Sequence, residues 1–176
     1  MNEDQQQLCS ESTWDFSDVR ALFVTARFQP SPGVSNTKGL ARIAIEIMEG
    51  NGVSVDTIRA VDHDIAAGVY PDMRDHGAAG HEWPALFERV MAADILVLMT
   101  PIWLGQISSV CARVIERLYG NSSQLNEHGQ YAYYARSAVA SSPATRTASN
   151  IARWRCSTRC STSATPSTAG GRRLDR

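Results

Sequence analysis

The chain of 176 residues has no apolar run near the roughly 20 residues that a membrane-crossing helix needs, which argues against a membrane protein of that class. Its opening, MNEDQQQLCSESTWDFSDVR, lacks the basic and then apolar order of a secretory signal, so a cytoplasmic location is the default expectation. The four cysteines, Cys9, Cys111, Cys156 and Cys160, lack paired metal-ligand spacing. Neither a disulfide framework nor a zinc site is expected from them. GxxxxGK(S/T) and GxGxxG are both missing, which sets aside the P-loop and the dinucleotide fingerprint. No Ser/His/Asp or paired-carboxylate arrangement can be argued from spacing. Any redox chemistry must therefore be carried by a cofactor.

What is present falls into two unlike parts. Residues 1–134 hold 17 acidic side chains against 9 basic ones, whereas residues 135–176 hold only Asp175 against 8 arginines and no lysine. With 43% hydrophobic residues the chain can bury one real core, and one domain is expected. We divide it into a polar N-terminal extension over 1–19, a domain over 20–134, and an Arg/Ser/Thr-rich tail over 135–176 that lacks any sustained apolar period.

ALFVTA (21–26) is short, apolar and β-rich, and predicts a buried strand. RFQPSPGVSNT follows as a loop, and from Thr37 the apolar residues Leu40, Ile43, Ala44, Ile47 and Met48 recur at helical spacing. Ser35 or Asn36 can cap that helix and the Gly50–Gly52 stretch can end it. VSVDTIRAV (53–61) predicts a second strand. The stretch 62–83 is too rich in Gly, Pro and Asp for an ordinary connection, and a functional or lid-like loop is expected there. PALFERVMAA predicts a helix with Pro84 in its first turn, and ADILVLMT (93–100) a strand covered on both faces. Ser108 or Ser109 then caps a helix with Val110, Val114, Ile115 and Leu118 as its buried stripe. This alternation implies an α/β fold, a doubly wound parallel sheet with helices on both faces. In such sheets ligands lie beyond the carboxyl ends of the strands, so the loops 27–36 and 100–107 should face one crevice.

The first of these loops offers Arg27, the hydroxyls of Ser31, Ser35 and Thr37, the Asn36 amide and the free N–H groups of a helix start, which suit a phosphate. A capped helix start without a ligand is the plainer account of the same residues. The second loop, TPIWLGQ, sets Trp103 beside Gly105 after Pro101, a flat aromatic face with accessible backbone. It can meet a planar heteroaromatic ring or merely pack on a neighbouring loop. His63, His76 and His81, with Asp62, Asp64 and Asp75, match no metal motif and are expected to be solvated. Cys111 is expected as a packed thiol rather than a nucleophile.

Taken together, ALFVTARFQPSPGVSNTKGLA, VDHDIAAGVYPDM and HEWPALFERVMAADILVLMTPIWLGQISSV resemble the flavodoxin-like NAD(P)H-dependent oxidoreductases, the FMN reductases and their relatives, over about residues 20–134. The resemblance implies that the first loop holds the FMN phosphate through Ser35, Asn36 and Thr37, with Arg27. It implies that Pro101, Ile102, Trp103, Leu104 and Gly105 wrap the isoalloxazine. It further implies hydride transfer from NAD(P)H through FMN to a quinone, a free flavin or a similar small acceptor, with no side chain needed as acid or base, and a homodimer or homotetramer if the fold is complete. A non-enzymatic electron carrier of the same fold is the alternative. A third reading takes the Arg-rich tail as a nucleic-acid or acidic-partner arm. Its lack of lysine speaks against that reading, and no nucleic-acid partner is favoured.

The tail departs from the resemblance, which implies a fourth strand, a loop resembling TGNEDG and further elements. A shifted reading frame accounts for this. Ser141 to Ala148, written as TCG TCA CCG GCA ACG AGG ACG GC, spells Val-Val-Thr-Gly-Asn-Glu-Asp-Gly when begun one base earlier with a G. On this reading the C-terminal strands are missing or degraded, and the 93–100 strand is left with an unpaired edge.

Overall fold

The computed structural model describes residues 1–31 and 36–141, with residues 36–38 described by backbone alone. It has four α-helices, α1 (Glu3–Glu11), α2 (Asn36–Gly50), α3 (Trp83–Met91) and α4 (Ser109–Gly120), among the described residues. Four strands, β1 (Arg20–Thr25), β2 (Ser54–Arg59), β3 (Ile95–Met99) and β6 (Ser137–Ser141), form a parallel sheet in the order β2-β1-β3-β6. Two short strands, β4 (Ile102–Trp103) and β5 (Gln106–Ile107), make a separate antiparallel hairpin.

Residue alternation along β1 and β3 sends successive side chains to opposite faces of the sheet. Leu22, Val24 and Leu98 join Leu86 and Val90 of α3 and Val114 of α4 in one core cluster. Ala21, Phe23, Val97 and Met99 join Ala41 of α2 in the other, with Ala44, Ile45 and Met48 packed against it. Both central strands are therefore buried on two sides, which explains why ALFVTA and ADILVLMT read as unbroken apolar runs. On α2 the core-facing stripe is turned from the expected one, since Leu40 and Ile43 are exposed at 36% and 37% while Ala41 is buried.

Two further features were not foreseen. The polar N-terminal extension carries a helix: Asn2 and Gln5 form a reciprocal capping box that starts α1. The Met1 ammonium pairs with Glu46 at 2.5 Å and Asn51 Nδ2 donates to Cys9 Sγ at 3.1 Å, so α1 lies along α2. The edge of β3 is not unpaired, because β6, inside the stretch expected as tail, aligns Ser137 with Ile95 and Val139 with Val97. Ser and Ala carry little strand signal, yet ladder pairing asks only for extended backbone with free N–H and C=O groups. Arg136 anchors the approach to β6 by donating to the Ala93 carbonyl. The alternate-frame segment after Ser141 lies outside the described residues.

The stretch 62–83 is tied down rather than lid-like. Arg117 of α4, fully buried, donates to the carbonyls of Tyr70 (2.8 Å) and Gly68. Arg113 donates to Ile65 O at 3.3 Å. Gly120 leaves no room for a Cβ, which would stand 2.7 Å from Val69 O, so helix and loop touch backbone to backbone. His81 is 7% exposed, not solvated: its Nδ1 accepts from Ala66 N at 3.3 Å, and burial with the nearby Arg117 charge pulls its pKa down, keeping the ring neutral. The other two histidines are engaged at the surface, His63 with Glu82 at 2.6 Å and His76 stacked on Tyr70.

Candidate functional site

The order of strands reverses at β1 and β3: from β1 the chain moves out to β2, then returns across to β3. The loops leaving the carboxyl ends of β1 and β3 are consequently neighbours. They are joined at the backbone, where Ala26 N donates to Met99 O at 2.8 Å.

Beneath them lies a buried hydroxyl pair. Ser108 Oγ donates to Ala26 O at 2.6 Å and accepts from Cys111 N at 3.0 Å, capping α4. Ser108 N donates to Thr100 Oγ1 at 3.1 Å, and the two hydroxyls are 3.2 Å apart. Thr100 is 0% and Ser108 1% exposed, so every one of these bonds is shielded from water. One serine thus fixes the end of β1, the end of β3 and the start of α4. Sequence reasoning offered Ser108 or Ser109 as the cap, which the structure settles as Ser108, but missed this wider role, because Ala26 is 82 residues away. Cys111 is buried in the same turn, and burial pushes its thiol up to about 11, which agrees with a packed, unreactive cysteine.

Between Thr100 and Ser108 the chain forms a hairpin rather than an irregular loop. Ile102 pairs with Ile107 and Trp103 with Gln106, leaving a two-residue tip. Both tip residues have positive φ, 47° at Leu104 and 77° at Gly105, the requirement of a type I′ turn. Glycine takes this conformation freely, whereas leucine is held in it at a cost, with its side chain entirely in solvent. Strain of this kind concentrates at binding sites.

Trp103 turns toward the first loop. Its ring stacks on Phe28 with centroids 5.4 Å apart and planes within 7°, while both rings remain about half exposed. The two loops expected to share a crevice do therefore meet, through an aromatic pair of which sequence reading named one member. The stack is the packing on a neighbouring loop that the sequence left open for Trp103, and the half-exposed rings together leave a flat, uncharged face toward solvent.

The first loop is held from β2's end. Ser31 N and Oγ donate to the two oxygens of Asp62 at 3.0 and 2.6 Å, and Arg59 Nη1 donates to Ser31 Oγ at 2.9 Å. These hydrogen bonds keep the Asp62 carboxyl below its ordinary value of 3.8, with Arg59 adding to the effect. Arg27 is half-buried and donates to Gln29 Oε1 at 2.7 Å. Of the remaining candidates, Ser35 lies outside the described residues, and Asn36 and Thr37 open α2 by backbone alone. Pro101 and Ile102 sit half-buried between Thr100 and Trp103. A cavity of about 280 Å³ lies elsewhere, lined at the amino ends of β1 and β2 by Arg20, Ser54, Asp56 and Arg89 among others. Position at the switch point and the aromatic wall single out the carboxyl-end crevice instead.

Parallel order, helices on both faces and two loops meeting at the switch point define a flavodoxin-like α/β protein. The family described as NADPH-dependent FMN reductase matches residues 29–152, past Tyr134, where the resemblance read from sequence stopped. The chain belongs to this family of flavoprotein oxidoreductases. A stretch of 121 residues is 61% identical to part of the Mycobacterium bovis divalent metal cation transporter MntH, covering 69% of this chain but 18% of that protein. Over 105 residues it is 34% identical to the 8-demethyl-8-aminoriboflavin-5′-phosphate synthase of Streptomyces davaonensis, covering 57% of this chain and 41% of the synthase. The chain therefore spans less than half the length of these curated relatives. The crystal structure of RosB with a bound 8-demethyl-8-formylriboflavin-5′-phosphate intermediate superposes with a TM-score of 0.63 at 31% identity, over 70% of this chain and 51% of that one. A NAD(P)H:quinone oxidoreductase from Methanothermobacter marburgensis shares the fold, with a TM-score of 0.57 at 13% identity over 82% of this chain and 77% of that one. No helix among the described residues is long and apolar enough to cross a membrane.

Proposed function

We propose that the crevice between the loops after β1 and β3 binds FMN and that the protein oxidises NAD(P)H, passing the electrons to a small acceptor such as a quinone or free flavin. The observation that carries this reading is the Phe28–Trp103 stack at the switch point: a flat, uncharged, half-exposed wall in the place where α/β sheets take nucleotide-like ligands. Pro101, Ile102, Trp103, Leu104 and Gly105 are the ring-side residues. Arg27, Ser35, Asn36 and Thr37 are the phosphate side, supported by the helix start at Asn36, whose N–H groups suit an anion.

FMN, when bound, supplies the capacity to accept a hydride from a nicotinamide and to hand electrons to an acceptor. The chain's own part is to bind and orient. The hairpin tip presents backbone and an aromatic face, while the buried hydroxyl pair keeps the two loops in register. No side chain is assigned as acid or base. The cytoplasm is the proposed compartment, and an assembly of two or four copies is proposed with it.

Purified protein tests the proposal directly. Flavin absorbance that co-purifies or can be loaded, together with NAD(P)H oxidation in the presence of a quinone, is the expected result. FMN retained without NAD(P)H oxidation would make the protein an electron carrier, and refusal of FMN would end the flavin reading.

A further inference from the structure

We propose that the segment 66–82 is a latch on α4 that acid releases: neutral His81 keeps it closed by accepting from Ala66 N, and protonation of the ring opens it. The inference is independent of the flavin reading. His81 is 7% exposed, and its Nδ1 accepts from Ala66 N at 3.3 Å. Nε2 is also buried and reaches no hydrogen-bond partner among the described residues, so the single ring hydrogen sits there. An added proton can land only on Nδ1, where it meets the Ala66 N–H. The bond is lost, and two donors are left facing each other.

The surroundings leave the added charge without a free partner. Arg117 of α4, 0% exposed, already places a guanidinium nearby, bonded to the carbonyls of Gly68 and Tyr70 in the same segment and with its Nε unpartnered among the described residues. Arg113, also on α4, donates to Ile65 O at 3.3 Å. Asp72 favours the charged ring, but Arg74 engages it through Nε at 3.1 Å and Nη2 at 2.5 Å. Glu82 is taken by His63 at 2.6 Å, Asp64 lies against Gly80, and His76 is stacked on Tyr70. Burial and the Arg117 charge accordingly pull the ring's pKa below its ordinary value. Opening lets water reach both cations, which is cheaper than burying them side by side. Ile65 and Trp83, 4% and 2% exposed, keep the two ends in the core, while Val69 and Tyr70 are half exposed and offer little apolar burial against release.

Amide exchange on the full chain, corrected for the intrinsic exchange rate at each pH, tests the latch. The closed state binds one proton fewer than the open one, so closure is at full strength above 6.5 and weakens as pH falls from there toward the lowered value. Protection at Ala66 N should drop about three- to tenfold between about pH 7 and about pH 5. Ala112 N, which donates to Ser108 O at the start of α4, should hold steady. His81→Asn, whose Oδ1 keeps an acceptor for Ala66 N and cannot ionise, should give a flat profile. An unchanged slope in that variant, or flat protection in the wild type, overturns the proposal. Where melting shows that His81→Asn does not fold, the imidazole signals of the wild type decide. A His81 midpoint below 6.5 that the loss of protection follows sustains the latch, and a midpoint at or above 6.5, or one that protection does not follow, overturns it.

Discussion

The loops after β1 and β3 meet at one crevice, yet they are secured by opposite means. The β3 loop is held from below by Thr100 and Ser108, uncharged hydroxyls sealed from water and bonded to backbone. The β1 loop is held from the side by Asp62 and Arg59 through Ser31, in solvent. Buried neutral hydrogen bonds are costly to break and indifferent to pH and salt, whereas exposed charge-assisted ones are weak in stability and sensitive to both. The β3 loop is therefore part of the fold, and the β1 loop is an adjustable attachment to it.

The largest expected effect comes from breaking the buried side. Ser108→Ala removes the cap of α4 and strands Ala26 O and Cys111 N, so a loss of about 3 kcal/mol is expected. A shift in the urea midpoint at unchanged slope measures it. Asp62→Ala should move the same midpoint by less than about 0.5 kcal/mol, as surface substitutions do. If the two shifts are alike, the contrast between the loops fails. Arg117→Met, which strands the Tyr70 and Gly68 carbonyls without touching either loop, should cost about 2 kcal/mol and leave flavin affinity unchanged.

A smaller effect, of opposite sign, is expected at the hairpin tip. Leu104→Gly relieves the left-handed strain and should stabilise the protein by about 1 kcal/mol, read as a rise in melting temperature. A concurrent fall in FMN affinity would mean that the leucine side chain itself meets the ring.

The smallest effect is in acid. The Asp62 carboxyl is depressed in the folded protein, so its grip on Ser31 is complete above 3.8 and is lost as pH falls through the lower folded value. Hydrogen exchange at the Ser31 amide should quicken in that window. The amides of Ser108 and Cys111 should not follow, since their acceptors are hydroxyls.

Much of this was legible from sequence. Unbroken apolar runs placed β1 and β3, the change of period placed α2 and α4, and Pro84 and the Ser108–Ser109 pair marked helix starts. Trp103 was legible as a flat aromatic face in an uncharged turn, with a planar ligand and packing on a neighbouring loop both open to it, and its stack on Phe28 is a contact of the second kind. Phe28 was not, because a phenylalanine next to Arg27 in a Pro-rich loop looks unremarkable until its partner, 75 positions later in the sequence, comes to lie on it. β6 was missed for want of any apolar pattern in SAVAS, and α1 because its residues are polar and earn their place by capping and by contact with α2. Asp62 and His81 looked alike in a polar loop, yet one grips Ser31 at the surface and the other is buried and accepts from Ala66 N.

By itself, the sequence determined the alternation of strands and helices, since hydrophobic period and capping are local properties that depend on near neighbours in the chain. Tertiary structure alone decided which loop residues meet, which serine bridges two strand ends, and which carboxylate grips the first loop. Those pairings join groups tens of residues apart, and no local propensity encodes a distance through space.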